Sequence, residues 1–367
     1  MAGMTQTLRD VVWARRGVRG WAAWLALQPA SGLFAAAVAM RDLGYRIGVL
    51  RVHRAGIPVI SVGNLSVGGT GKTPITLWLA RQLAAHLSAA GVGKVAILLR
   101  GYGGRARTAT IVSHGAASGG ISPEVNVETV GDEAIMLAKS FEGIVLTARR
   151  RIEGVALAER LGCRVVVLDD GFQHRALARD FDLVLINGRD GALLPAGPMR
   201  ERPSALNRAD AVALVLKTDE DSATAADVCG TKPHVVVRFE ARALVESDGG
   251  QWHERPLDGL TGRRVIVIAG IAHAAPFYDA VRQWEAHIEE IFEYPDHHRY
   301  TQADWQQLSR ATRNTELIVT TEKDLVKLEH FPFAKGKLVA LRIVPQVGGG
   351  DALVRSVMTR ARLLPAT

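Results

Sequence analysis

The run Ile57–Pro74, IPVISVGNLSVGGTGKTP, joins an apolar strand-like segment to a glycine-rich loop that ends in Gly-Lys-Thr before a helix-like stretch. Residues of these types at this spacing suit a nucleoside triphosphate. Gly68, Gly69, Thr70 and Gly71 form a loop whose backbone N–H groups can turn toward phosphate oxygens. Lys72 can reach the β and γ phosphates, and the Thr73 hydroxyl can hold Mg²⁺. The strict form of such a loop has glycine where this chain has Ser66, and its glycines come later instead. A second candidate is VVVLDDG at Val165–Gly171, an apolar strand that delivers Asp169 and Asp170 to its carboxyl end, where parallel sheets gather ligands. An aspartate there holds Mg²⁺ directly or through water, or else caps the following helix.

Asp132 and Glu133 follow Gly131 at the start of a helical pattern. They read either as a helix cap with a first-turn acid or as catalytic carboxylates. In the second reading, one accepts the proton of an acceptor hydroxyl and Glu133 completes a metal's oxygen shell. His174 and the Asp296-His297-His298 run are further candidates, without the spacing of a histidine metal site. Arg149, Arg150 and Arg151 follow a strand ending at Thr147 and form either a phosphate-binding group or a solvated face. The loop Pro195–Glu201, with Arg200 and Glu201 at its end, is stiff and turn-rich; such loops position function or close a fold.

These residues need a scaffold of alternating strands and helices, and the pattern supplies one. Strands are expected at Val59–Val62, Lys94–Leu99, Ile144–Thr147, Arg164–Leu168, Leu183–Ile186 and Ala211–Leu216, with helices at Ile75–Leu87 and from Glu133. The fold class is α/β: a P-loop NTPase-type parallel sheet with helices on both faces. After the polar stretch Lys217–Cys229 come a β-rich linker (His234–Ala243), strands at Val265–Ala269 and Leu317–Thr321, and a helix at Pro276–Trp284. These form a second, smaller α/β domain. The expected organisation is 1–54, a hydrophobic N-terminal helical segment; 55–228, the P-loop domain; and 229–367, the linker and smaller domain.

The 367 residues suffice for two domains, and 48% apolar content for ordinary cores. A net charge of +8 suits an anionic partner, yet no nucleic-acid-binding motif accompanies it. Cys163 and Cys229 support neither a disulfide framework nor a cysteine metal site. Residues Gly20–Met40 carry no charge and are flanked by Arg15, Arg16, Arg19 and Arg41. The length could just span a bilayer, but Pro29–Gly32 interrupts it and basic residues on both sides set no orientation. A helix or helical hairpin lying in the membrane interface, with Trp13, Trp21 and Trp24 at headgroup depth, is the preferred expectation over a span or a pair packed on the protein's own core.

The motifs SVGNLSVGGTGKTP, RGYGG (Arg100–Gly104), GDE (Gly131–Glu133), LDDGFQH (Leu168–His174), LPAGPMRE (Leu194–Glu201), DH (Asp296-His297) and TEKD (Thr321–Asp324) resemble, in order and across nearly the whole chain, the tetraacyldisaccharide 4′-kinase (lipid A 4′-kinase) family. The Ser66 departure is shared by that family's looser loop. The resemblance implies transfer of the ATP γ-phosphate to the 4′-hydroxyl of an acylated glucosamine disaccharide 1-phosphate, at the cytoplasmic face of a Gram-negative inner membrane. Two α/β domains with the active site in their cleft are implied, with ATP and Mg²⁺ as cofactors, the membrane surface as partner, and neither nucleic acid nor a protein partner. Carried onto matching positions, Lys72 and Thr73 bind phosphate and metal, Asp132 is the general base, and His297 pairs with it from the second domain. Glu133 and Asp170 serve the metal. Asp169, His174, Arg200 and Glu201 match other active-site positions, with Tyr102 and Arg150 as weaker matches. Two rival readings stand beside this one. A P-loop GTPase is disfavoured because neither Leu216–Asp219 nor Thr321–Asp324 has the Asn/Thr-Lys-x-Asp form of a guanine reader. A membrane scaffold with a structural nucleotide has no need of so many strand-end carboxylates.

Overall fold

The computed structural model describes residues 9–115, 120–187, 191–216 and 229–363. The polar stretch 217–228, where a domain boundary is expected, lies outside the described residues. The chain forms two compact units, each assembled from separate stretches: one from residues up to 95, 155–238 and 347 onward, the other from 96–154 and 239–346. Each unit therefore takes sequence from both sides of that polar stretch.

In the first unit, the strand Val59–Asn64 lies between two parallel neighbours, Cys163–Asp169 and Phe181–Ile186. Ala211–Val215 and the opening residues of His234–Asp248 extend the parallel run. Every residue of Val59–Asn64 is buried, which is why it reads as a continuous rather than an alternating apolar segment. Its register sets Val62 opposite Asp169, bringing the phosphate-loop end of one strand beside the acidic end of the next. The helix Lys72–Ala89 buries Ile75, Leu79, Leu83 and Leu87, a stripe at four-residue spacing. Pro74 falls in its first turn, where no intrahelical N–H bond is lost.

The second unit holds Arg264–Ala269 between the parallel strands His287–Glu293 and Leu317–Thr321, with Leu338–Gly348 beyond the latter. Lys94–Leu99 runs parallel to Ile144–Thr147, which Thr110–Ser113 joins antiparallel. His234–Asp248 and Gln251–Arg255 make a hairpin across Gly249 and Gly250, both at positive φ.

The N-terminal apolar stretch departs from the expected interruption. Gly17–Arg46 is one continuous helix with Pro29 inside it, about 45 Å long at 1.5 Å per residue. The proline ring lies on the exposed side, and the buried Ser31 secures the next turn: its hydroxyl donates to the Leu193 carbonyl and accepts from the Ala196 N–H, both at 3.0 Å. The outward face carries Val18, Trp21, Leu25, Leu33, Met40 and Leu43 at helical spacing, with Leu33 74% exposed. The inward face carries the polar anchors. Arg41 donates to Glu201 at 3.0 Å, and Asp42 accepts from Arg175 at 2.7 Å.

One close approach in the first unit is testable. A Cβ on Gly63 would lie 2.5 Å from the Phe172 Cβ and 2.9 Å from its backbone nitrogen, inside a strand with partners on both sides. Gly63→Ala is expected to destabilise the protein by about 1–3 kcal/mol, read as a lowered midpoint in urea, because neither backbone can retreat without disturbing the sheet.

Candidate active site

The phosphate loop is held open by glycine conformation and by two lateral ties. Gly68 and Gly71 have φ of 112° and 80°, which side chains other than glycine rarely adopt, and Gly71 begins the helix at Lys72. The buried Asn64 side chain donates to the Thr70 hydroxyl at 2.8 Å, fixing the middle of the loop to the strand that feeds it. On the other flank, the Val67 N–H donates to Pro198 and the Arg200 N–H to Leu65, with Ser66 bridged to Met199. Ser66 thus sits in paired, extended backbone and needs no glycine, which accounts for the departure from the strict pattern.

Around this loop the first unit gathers five of the expected site residues. Thr73 and Thr76 hydroxyls donate to the two oxygens of Asp169, at 2.9 and 3.1 Å. Asp170, at the end of the same strand, has a φ of 54° and faces Lys72 at 3.7 Å. One Arg200 guanidinium nitrogen lies 3.0 Å from both Asp170 oxygens. A non-glycine residue in this left-handed region is uncommon and clusters at functional sites. The turn that follows is tied back by Gln173, which donates to the Asn64 carbonyl at 2.7 Å, and closes where the His174 N–H meets the Gly171 carbonyl. Glu201 points elsewhere: it is 2% exposed and bound by Arg41 and Arg208, so it anchors the N-terminal helix.

The second unit builds a different cluster. The loop Arg100–Gly104 lies tightly over the turn before the helix Asp132–Ser140. A Cβ on Gly131 would come within 2.3 Å of the Tyr102 carbonyl, and one on Gly104 within 2.6 Å of the Thr129 carbonyl. Asp132 opens that helix and is 2% exposed. The His297 Nδ1 donates to it, at 3.1 and 3.3 Å from its two oxygens. His297 has a φ of 59°, and the Tyr102 ring lies 5.0 Å from its imidazole. Both members of the pair belong to one compact unit, so it forms without a partner from the other. His298 turns away, bonded to Asp304 at 3.0 Å and stacked on Tyr294. Arg150 is exposed and paired with Glu153 at 2.7 Å, while Arg151 is buried and donates to the Ala148 carbonyl.

Two lysines complete this cluster: Lys323, which the sequence offers within the TEKD motif without a role, and Lys327, which it does not single out. Lys323 and Lys327 stand one turn apart on the helix Glu322–Leu328. Lys327 lies 3.5 Å from Asp132 and 2.8 Å from the fully buried Asp324; Lys323 contacts Glu133, Asp296 and His297. Their signal was a pair of lysines four apart immediately after a strand ending at Thr321. Glu133, expected at a metal, is thereby engaged by Lys323 in a different unit from Thr73 and Asp170.

Electrostatics separate the pair. Burial by itself would raise the Asp132 carboxyl, but the His297 hydrogen bond and the Lys323 and Lys327 charges outweigh it and hold the group well below the usual carboxylate range. Burial lowers His297 and Lys323 lowers it further, yet the hydrogen bond and charge of Asp132 leave it above its ordinary value.

A loop that cradles phosphates, a lysine and threonine at its end, strand-end aspartates and a separate carboxylate–imidazole pair define a P-loop phosphotransferase. The comparisons name the kind. The family model described as tetraacyldisaccharide-1-P 4′-kinase (LpxK) matches residues 23–361. A tetraacyldisaccharide 4′-kinase of Anaeromyxobacter dehalogenans is 40% identical over 339 residues, 88% of this chain and 86% of the relative. One from Syntrophotalea carbinolica is 39% identical over 317 residues, 84% of this chain and 85% of that one. The crystal structure of Aquifex aeolicus LpxK in complex with ATP superposes with a TM-score of 0.75 at 32% identity, covering 92% of this chain and 99% of that one. The chain belongs to the tetraacyldisaccharide 4′-kinase family.

The Asp132–His297 pair carries a pH signature. Asp132 is lowered, so its stabilisation is complete above about pH 4 and lost as pH falls; His297 is raised, so its share is complete below about pH 6.5 and lost as pH rises through its native value. The stability difference between wild type and Asp132→Asn is therefore expected to peak between those limits in urea titrations. A difference that does not vary with pH would show that the two groups do not interact as charges.

Proposed function

We propose that the chain transfers the γ-phosphoryl group of ATP to the 4′-hydroxyl of a tetraacylated glucosamine disaccharide 1-phosphate, giving the bis-phosphorylated lipid A precursor. The observation that carries this reading is the Asp132–His297 pair, a proton acceptor built into a chain that also has a complete phosphate loop and belongs to this kinase family. Phosphoryl transfer proceeds through a loose transition state, so positioning and charge stabilisation count for more than covalent chemistry. The loop N–H groups, Lys72 and Arg200 hold and neutralise the phosphates. Thr73, Asp169 and Asp170 offer hard oxygens within one cluster, which suits Mg²⁺, an ion usually held by one or two carboxylates together with phosphates rather than by a protein cage. Among the described residues no group of three or more His, Cys, Asp or Glu makes such a cage. Bound there, Mg²⁺ would supply charge neutralisation at the phosphates.

The acceptor proton goes to the Asp132–His297 unit. The family resemblance implies that Asp132 is the base; in the structure Asp132 is buried and His297, its hydrogen-bond partner, has a side chain 24% exposed, so the two act as one unit. The substrate is a lipid, and the exposed apolar face of Gly17–Arg46, long and apolar enough to cross a membrane, supports association with the cytoplasmic face of the inner membrane. Arg15 packs over Trp21 and Trp24 at 5.0 and 5.4 Å, a grouping suited to headgroup depth. The helix lying in the interface with its polar anchors toward the protein fits this better than a span, because Arg41 and Asp42 are committed to ion pairs.

Transfer of labelled γ-phosphate from ATP to a detergent-dispersed acylated disaccharide 1-phosphate tests the reading. Wild type is expected to label the lipid, and Lys72→Ala and Asp132→Asn to lose roughly 10²-fold or more in rate. Steady ATP hydrolysis by wild type with no labelled lipid would overturn it. Membrane association has its own test. Leu25→Glu with Leu33→Glu removes two side chains each contributing about 1.5–3 kcal/mol on burial, so vesicle cosedimentation is expected to fall by roughly 10²-fold. Undiminished cosedimentation would place the contact elsewhere.

A further inference from the structure

A serine inside a helix ordinarily turns its hydroxyl back to the carbonyl one turn earlier. Ser31 does otherwise: it is 6% exposed, and its hydrogen bonds leave the helix Gly17–Arg46 for the loop Leu193–Glu201. It is one of four ties on the inward side. Trp13, just ahead of the helix, donates from its indole to the Pro195 carbonyl at 3.0 Å. Arg41 holds Glu201, while Asp42, about three turns beyond Ser31 and so on the same face, holds Arg175. Leu193–Glu201 contains neither helix nor strand, so its place depends on contacts with its neighbours.

What these ties reach is the nucleotide site. Glu201 directly follows Arg200, whose guanidinium meets Asp170 and whose N–H donates to the Leu65 carbonyl at 2.7 Å, where the phosphate loop begins. The Pro198 carbonyl accepts from Val67 in the loop itself, and Met199 is buried in one core cluster with Leu65 and Phe172. Arg175 lies in the turn that follows Asp169 and Asp170. A shift of Leu193–Glu201 is therefore passed on to the phosphate cradle. Resting on the kinase reading, we propose that the inward face of Gly17–Arg46 is a positioning element for the triphosphate site, separate from any contact of its outward face. Through Ser31 and Arg41 it holds Leu193–Glu201, and with it Arg200 and the entry of the phosphate loop, in the arrangement that receives ATP.

With the loop released, the receiving arrangement becomes one of several, and the apparent affinity for ATP falls with the fraction of molecules that still hold it. Two lost ties of ordinary hydrogen-bond strength correspond to roughly tenfold. Bound ATP draws the loop back, so the rate at saturating ATP is kept while the KM for ATP rises. Ser31→Ala with Arg41→Ala leaves the Trp13 and Asp42 ties in place, and Glu201 keeps Arg208 at 2.5 Å, so the double variant should fold.

The test is titration of a fluorescent ATP analogue against the full chain in detergent without lipid. Ser31→Ala with Arg41→Ala is expected to bind the analogue roughly tenfold more weakly than wild type, and Arg41→Ala alone roughly threefold. Arg41→Lys, which keeps a charged donor for Glu201, should stay close to wild type. Leu25→Glu with Leu33→Glu should bind the analogue as wild type does, although its vesicle cosedimentation falls. In the labelling assay the Ser31→Ala, Arg41→Ala variant should show its KM for ATP raised by the same factor, with kcat and the KM for lipid within about twofold of wild type. Unchanged analogue affinity in that variant, or an equal loss in Leu25→Glu with Leu33→Glu, overturns the inference, as does a fall in kcat with the KM for ATP unmoved. A wild type that binds the analogue but labels no lipid would instead overturn the kinase reading and leave the binding comparison standing.

Discussion

A carboxylate stays charged out of water only where donors surround it, and Asp132 imposes that requirement on its whole unit. His297, the Glu133 N–H and Lys327 each supply part of the compensation. They come from a turn with left-handed backbone, from the helix's own first turn and from a helix almost two hundred residues downstream. The arrangement cannot be loosened piecemeal, because removing one donor leaves a buried charge with fewer partners. Asp324, fully buried beside it, extends the same constraint. It accepts from the Gly270 N–H, Thr321, Tyr300 and Lys327, and so locks the strand ends of the unit together.

The first unit solves a related problem with opposite sign. It must offer positive potential to a polyanion without collapsing on itself. The answer is to oppose cations with carboxylates at a strand end: Lys72 and Arg200 face Asp170, while Asp169 is held by Thr73 and Thr76. The same loop that carries Arg200 is pinned to the phosphate loop through backbone pairs and to the N-terminal helix through Ser31 and Arg41. Thus the apolar, outward-facing helix and the phosphate loop share one intervening segment, Leu193–Glu201. The polar contacts of its inner face hold the helix to the protein and leave its apolar face outward.

Much of this could be read from residue order. The buried strands of the first unit are continuous apolar runs, and the glycine-rich loop between strand and helix is local chemistry, so their places matched the pattern closely. Strand Thr110–Ser113 and the strand His287–Glu293 were not legible. The first is short and set among turn residues, and the second, HIEEIFE, is an exposed edge whose charged residues hide its period. The proline in Gly17–Arg46 signalled a break that tertiary contacts override, since Ser31 is held from outside the helix. Lys323 was legible only as part of the TEKD motif and Lys327 not at all, because a lysine after a strand looks like any solvated residue until its acceptors are known.

By itself the sequence determined the chemistry in reach: a phosphate loop, strand-end aspartates, an isolated Asp-Glu at a helix start and an Asp-His turn, in the order of one kinase family. These are short-range facts, set by what glycine, lysine and carboxylate can do within a few residues of one another. The family resemblance implied the Asp132–His297 pair, which the structure forms across 165 positions; only the tertiary structure set Lys323 on the far side of the same imidazole and bound Glu201 to Arg41 of the N-terminal helix. The physical reason is that the state of a buried charge or an imidazole proton depends on the atoms within about 4 Å of it, and chain separation carries no information about which those will be.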